Sequence, residues 1–176
     1  MLRLMLLRHA KSDWPTGVDD HERPLGPRGR LISPRIGHYM AEEGLAPDLA
    51  IVSTARRAHE TWELARPAFA QDIAVKDEPR IYEAAASAIL GVARETGSGV
   101  YSLLLVGHNP GLQDLVLKLA SHGRKPNLAR LRRKFPTAAL AVIDFDVDRW
   151  EAIGEGPGDL ERFETPKSIG RWAGGE

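Results

Sequence analysis

The chain contains no cysteine among its 176 residues. That removes a disulfide framework, a thiolate nucleophile, and any zinc or iron–sulfur site built on cysteine. A covalent mechanism would have to use Ser, Thr, Lys, Asp, Glu, His or Tyr. Net charge is missing as well: 24 Lys+Arg balance 24 Asp+Glu. This argues against a dedicated nucleic-acid binder, which is usually basic overall. Long apolar runs are also lacking. The N-terminal run from Leu4 to Leu7 stops at Arg8, far short of a signal-peptide core or a membrane span. The expectation is a cytoplasmic protein that engages neither membrane nor nucleic acid, with a monomer as the default. What remains is ordinary for a globular chain: 43% hydrophobic and 27% charged residues. At this length one domain with a real core is expected, covering residues 1–176 with an irregular tail from about residue 155.

The punctuation of the chain suggests alternating strands and helices. Leu2–Leu7 reads as a buried strand, because its apolar residues are nearly continuous. Residues 10–26, rich in Gly, Pro and Asp, read as a loop. A helix should follow and end near Glu43, with Gly44 as its C′ residue. Pro34 implies either a kink or a fresh start capped by Ser33. Leu49–Val52 is a second strand, followed by a helix to about Ala65, and Ile73–Val75 a possible third strand. Ser87 is placed to cap a helix running to Thr96. Ser102–Val106 is a clear strand. The helix after it has Asn109 as N-cap, Pro110 at N1, and Leu112, Leu115, Val116 and Leu119 on one face. Ala138–Phe145 and Arg149–Ile153 read as a final pair of strands. The expected class is α/β: a three-layer sandwich with a mostly parallel central sheet between helices.

In such sheets ligands bind beyond the carboxyl ends of the strands. The first strand ends in Arg8-His9, the second in Ser53-Thr54-Ala55-Arg56-Arg57, and the strand ending at Val106 in Gly107-His108-Asn109. Two histidines and at least two arginines therefore converge at one edge, beside a helix N-terminus that suits an anion. Fork-shaped guanidinium donors match phosphate oxygens, so the ligand this set fits best is a phosphoryl group. Neighbouring cations would lower the pKa of His9 and keep its imidazole nucleophilic near neutral pH. They would also stabilise the transition-state oxygens without a metal.

Leu6-Leu7-Arg8-His9-Ala10 resembles the Arg-His-Gly/Ala signature of the histidine phosphatase superfamily, the phosphoglycerate mutase-like family. Arg57-Ala58-His59-Glu60-Thr61 is similar to its Arg-Ala-x-x-Thr block, and Val106 to Pro110 to its second-histidine block. Arg23-Pro24-Leu25 with Gly29, Tyr82-Glu83-Ala84 and Phe135-Pro136-Thr137 narrow the resemblance to the small SixA-type phosphohistidine phosphatases. The six blocks span roughly residues 4 to 143. The resemblance implies that His9 is the nucleophile and that Arg8, Arg57 and His108 hold the phosphoryl group. It gives Arg23 and Asn109 a part in substrate contact, and implies no metal and no cofactor. Glu83 is the family-like acid for the leaving group, with Asp13 and Asp19 as competitors. A phosphohistidine P–N bond manages without an acid more readily than an ester does. The length disfavours a mutase. The partner is then a phosphorylated protein or a small phosphorylated compound.

Single histidines are usually surface or core groups, and only their joint placement favours His9 and His108. Arg56, His21, His38, His59 and His122 are expected to be surface groups. Two alternatives stand beside the phosphohistidine reading. One is a phosphomonoesterase or phosphoanhydride hydrolase on a metabolite or nucleotide, and the other is a non-catalytic phosphate-binding module. The basic run of Arg124, Lys125, Arg130, Arg132, Arg133 and Lys134 is read first as a solvated face. Departures from the family pattern are Gly26 where Thr is usual, Ser53-Thr54 where Ser-Pro is common, and Pro34 inside the first helix.

Overall fold

The computed structural model describes residues 1–173, and their side chains through Gly170. The last three residues of the expected domain range lie outside the described residues. Among the described residues seven strands form one sheet: β1 (Leu2–Arg8), β2 (Leu49–Ser53), β3 (Ala74–Glu78), β4 (Ser102–Gly107), β5 (Ala120–Gly123), β6 (Leu140–Phe145) and β7 (Gly158–Glu164). Their spatial order is β3-β2-β4-β1-β6-β7-β5. The first four are mutually parallel, β6 runs antiparallel to both β1 and β7, and β5 pairs parallel with β7. The helices are α1 (Pro27–Glu42), α2 (Arg56–Ala65), α3 (Ala86–Arg94), α4 (Gly111–Leu119), α5 (Lys125–Arg133) and α6 (Pro166–Ala173). Among the described residues no helix is long and apolar enough to cross a membrane.

The alternation of side chains along each strand divides the core in two. Leu2, Leu4 and Leu6 of β1 join Leu103 and Leu105 against α3 and α4. Met5 and Leu7 join Leu104, Val106, Ala50 and Val52 against α1 and α2. Burial on both faces explains why β1 and β4 are near-continuous apolar runs. The register then levels the strand ends: Arg8 lies opposite Gly107, and Val52 opposite Val106. The residues that follow β1, β2 and β4 emerge side by side.

The expected α/β sandwich is present, with local corrections. α1 is continuous through Pro34, and buried Ser33 turns its hydroxyl back to the Gly29 carbonyl, 2.7 Å away, rather than capping a new helix. Gly44 takes the left-handed conformation (φ 70°) at the end of α1. Ser87 lies inside α3, whose N-cap is Ala85. α4 begins at Gly111, not at Pro110. Asn109 still accepts the Gln113 N–H at 3.3 Å, but the first turn is fitted against the Ala84 carbonyl, which a Cβ at Gly111 would meet at 2.2 Å.

The expected strand at Arg149–Ile153 is a 3₁₀ turn over Trp150–Ala152. The three-residue spacing of Trp150 and Ile153 buries both, and the Trp150 Nε1 donates to the Val100 carbonyl at 2.7 Å. The last strand is instead β7, in the stretch expected to be irregular, and α6 follows it. β7 escapes a period-two reading because its pairing with β6 shifts between Val142 and Ile143, so that Leu160 and Phe163, three apart, enter the same core. The basic run forms α5, with Pro126 in the first turn, where its missing N–H has no intrahelical acceptor to lose.

Candidate active site

Arg8 and His9 leave β1, Ser53 closes β2, Arg57 stands in the first turn of α2, and His108 follows β4. Arg8, His9, Arg57 and His108 converge on a cavity of about 350 Å³, and Ser53 touches it only through His108. Its inner wall is Arg8, His9, Arg57 and His108. Lys11, Ser12, Trp14 and Arg23 from the long loop complete it, with Asn109 and Thr137 opposite.

His9 is only 6% exposed. Its Nδ1 lies 2.7 Å from the Ala10 carbonyl. A carbonyl can only accept, so Nδ1 carries the proton and the lone pair resides on Nε2. The Arg57 Nε donates to that Nε2 at 3.3 Å. Burial pushes the His9 pKa down from 6.5 to about 3; the Ala10 hydrogen bond opposes this, while the Arg57 and Arg8 guanidiniums, and His108 when it is protonated, add to it. The His108 ring stands 5.2 Å from that of His9, centroid to centroid. Its Nε2 is 2.7 Å from the Ser53 hydroxyl, while its buried Nδ1 has no protein partner. Burial, aided by Arg57, brings the His108 pKa down to about 4. Both imidazoles are therefore neutral at neutral pH.

Arg8 donates to the Phe135 carbonyl at 3.1 Å, and its buried Nε is likewise unpartnered. Burial and the nearby Arg57 lower its pKa. Two residues of the inner wall thus hold buried polar atoms with no partner in the protein. Leaving such atoms unmatched is costly. The inner wall is cationic and rich in N–H donors, which suits an anion.

The sequence points to Asp13 and Asp19 in the long loop, but the structure brings Asp20 to the site. Its carboxylate accepts from the Tyr82 hydroxyl at 2.6 Å, from Arg23 at 3.0 Å and from Arg57 at 3.1 Å. Its backbone carbonyl accepts a further Arg57 donor at 2.7 Å. The Tyr82 hydrogen bond, then Arg23 and Arg57, hold this carboxyl far below the usual range. Asp20 therefore clamps the far end of Arg57 while Nε reaches His9. Nothing in the sequence separates Asp20 from Asp19 beyond its spacing of three from Arg23. Arg23 lines the cavity, but all three nitrogens are engaged: Nε to the Asp13 carbonyl, Nη1 to Asp20 and Nη2 to Ser12.

Glu83 is exposed, has left-handed backbone (φ 51°) and is absent from the cavity lining, although its carboxylate raises the Tyr82 pKa from nearby. Asp13 and Asp19 are also exposed and outside the lining. Asn109 lines the cavity and donates to the Phe135 carbonyl at 2.9 Å. His59 pairs outward with Asp77 at 3.4 Å, and Arg56 with Glu60 at 3.5 Å. His38 and His122 are exposed. His21 is less peripheral than expected. Its Nε2 lies 2.9 Å from the Thr54 hydroxyl, and its ring meets Tyr82 edge-on. No residue of α5 lines the cavity, but the chain leaving α5 brings in Phe135. Gly26 is explained: a Cβ there would lie 2.6 Å from the Asp13 carboxylate, which fills that space. Lys11, Ser12, Trp14 and Thr137 were not foreseen. A tryptophan five residues after His9, in a loop rich in Gly, Pro and Asp, was the available signal for Trp14.

The sequence profile of the histidine phosphatase superfamily (branch 1) matches residues 4–98. The uncharacterized protein Rv1276c of Mycobacterium tuberculosis is 35% identical over 163 residues, covering 92% of this chain and 100% of the relative. The structure of a candidate phosphohistidine phosphatase SixA from Agrobacterium tumefaciens is 31% identical, with a TM-score of 0.78, covering 94% of this chain and 98% of that one. Another candidate SixA, from Nakamurella multipartitia, superposes with a TM-score of 0.82 at 22% identity, covering 94% and 96% of the two chains.

Proposed function

The chain belongs to the histidine phosphatase superfamily, and on that premise we propose that it is a metal-independent phosphatase that cleaves the P–N bond of phosphohistidine through a covalent intermediate on His9. The observation that carries this reading is the state of His9: neutral, with its Nε2 lone pair held at the cavity by the Nδ1 bond to Ala10. In the proposed first step the Arg57 Nε–H turns from His9 Nε2 to a phosphoryl oxygen, the freed Nε2 lone pair forms a bond to phosphorus, and the bond to the substrate imidazole breaks, that ring leaving neutral because its other nitrogen carries a proton. Arg8, Arg57 and His108 take the phosphoryl oxygens. If Ser53 donates its hydroxyl proton to His108 Nε2, the ring keeps its N–H on Nδ1, the buried atom without a protein partner. Water then attacks phosphorus, the bond to His9 breaks, and inorganic phosphate leaves with the proton balance made by solvent.

The preference for a P–N bond draws on the acids. No Asp or Glu lines the cavity among the described residues, and Asp20 is held ionised by Tyr82, Arg23 and Arg57. Imidazole is a good leaving group without a strong acid, whereas an alkoxide needs one. The 31% identity to the Agrobacterium protein adds support.

The test uses a labelled phosphoryl donor. An acid-labile, base-stable adduct should form on the wild type and be absent from His9→Ala. An active His9→Ala protein refutes the mechanism. Activity should survive a chelator, and strict metal dependence would refute the metal-free reading. Glu83→Gln separates the ester alternative: selective loss of ester hydrolysis, with phosphoramidate turnover kept, would assign Glu83 as an acid for esters.

A further inference from the structure

Trp14 lines the cavity yet stays 76% exposed, and it belongs to neither half of the core. It is nonetheless held firmly. The Arg23 guanidinium carbon lies 3.2 Å from the centroid of the ring. Arg23 is 6% exposed and is fixed by Asp13 (3.0 Å), Asp20 (3.0 Å) and Ser12 (2.6 Å). The loop is tied down immediately before the tryptophan, where the Asp13 N–H donates to the Pro24 carbonyl at 2.9 Å and Ser12 bridges to Leu25. One side of the indole thus rests on a buried, immobile cation, and most of its surface is open at the mouth of the cavity. Set at the cavity and seated on the Arg23 guanidinium, the ring adds nothing to the core and is placed to meet a ligand.

The geometry points to Trp14, buttressed by Arg23, as a platform on which a planar aromatic leaving group stacks while its phosphoryl group sits among Arg8, His9, Arg57 and His108. This rests on the phosphatase reading and gives it a substrate class: for phosphohistidine the stacked ring is the imidazole itself. A flat ring meets the indole with its whole face and loses little freedom on doing so. A flexible aliphatic amine makes less contact and gives up rotamer entropy.

The experiment measures kcat/KM of wild type, Trp14→Ala and Trp14→Phe on two matched substrate pairs. Phosphoimidazole and N-phospholysine share a P–N bond; p-nitrophenyl phosphate and glycerol phosphate share a P–O bond. Within a pair, the preference for the ring-bearing substrate should fall about tenfold in Trp14→Ala, the equivalent of a stacking energy of about 1.4 kcal/mol, and return toward wild type in Trp14→Phe. The Tm should not move, because the indole lies outside the core. An unchanged preference, or an equal loss on both members of a pair, overturns the platform. A wild type that hydrolyses esters but no P–N substrate overturns the phosphohistidine reading alone, since the ester pair still reports on Trp14. Inertness toward all four overturns both.

Discussion

Lowering the pH from about 8 to about 5 should destabilise this protein by an amount that can be assigned to two histidines. His9 and His108 are 6% and 7% exposed, and their folded-state pKa values are pushed from 6.5 to about 3 and about 4. In the unfolded chain both bind a proton as the pH passes below 6.5; in the folded chain neither does until far lower. The unfolded state therefore binds more protons throughout that window, and stability falls as the pH falls. The slope is about 1.4 kcal/mol per pH unit for each histidine, which integrates to about 2 kcal/mol each, or about 4 kcal/mol together, by pH 5. That is a large share of a typical folding free energy of about 5–15 kcal/mol. Asp20 does not confuse the measurement. Its folded pKa is depressed, so its stabilisation is fully present above the ordinary carboxylate value of 3.8 and is lost only below it. The assay is urea unfolding across this pH range for wild type, His9→Gln and His108→Gln. Each variant should lose about half of the wild-type pH dependence. Identical slopes in all three proteins would refute the assignment, and with it the neutral nucleophile.

Asp20→Asn should lower kcat/KM by about 10–100-fold, because Arg57 loses a charged hydrogen bond at the end opposite His9; unchanged steady-state kinetics would show that Asp20 does not position it. Gly29→Ala should cost about 1–3 kcal/mol in chemical unfolding, since its Cβ would lie 2.2 Å from the Lys11 carbonyl. A higher KM should accompany that loss, because Lys11 lines the cavity. Trp150→Ala should cost about 3–5 kcal/mol by the same assay, and a negligible loss would contradict its place in the core.

The parts of the fold that position the site were legible because they obey simple patterns. β1 and β4 are buried on both faces, so their apolar runs stand out, and the residues after them could be placed at the sheet edge without knowing any loop. That brought Arg8, His9, Arg57 and His108 together. Elsewhere a local pattern had two solutions. Trp150 and Ile153 suit a strand as well as a 3₁₀ turn, and only the space beside Val100 decides. β7 hid behind a register shift. Asp20, Trp14 and the hydrogen bonds that fix Arg23 depend on how residues 10–26 fold back on themselves, held by the Ser12–Leu25 bridge and the approach of Lys11 to Gly29. That folding is a tertiary event with no periodicity to read. Glu83, a candidate acid beside Asp13 and Asp19, fits a family-like motif; in the structure it is exposed, has left-handed backbone and is absent from the cavity lining.

The contact between His9 Nδ1 and the Ala10 carbonyl also has a stereochemical consequence. By occupying one ring nitrogen it leaves a single site for phosphorylation, so the proposed adduct would be one positional isomer, phosphorylated at Nε2 (the tele nitrogen), with no admixture of the pros form. Phosphorus NMR of the denatured, base-quenched adduct distinguishes the two. A backbone carbonyl cannot be removed by side-chain mutation, so the isomer is written into the path of the main chain where β1 ends.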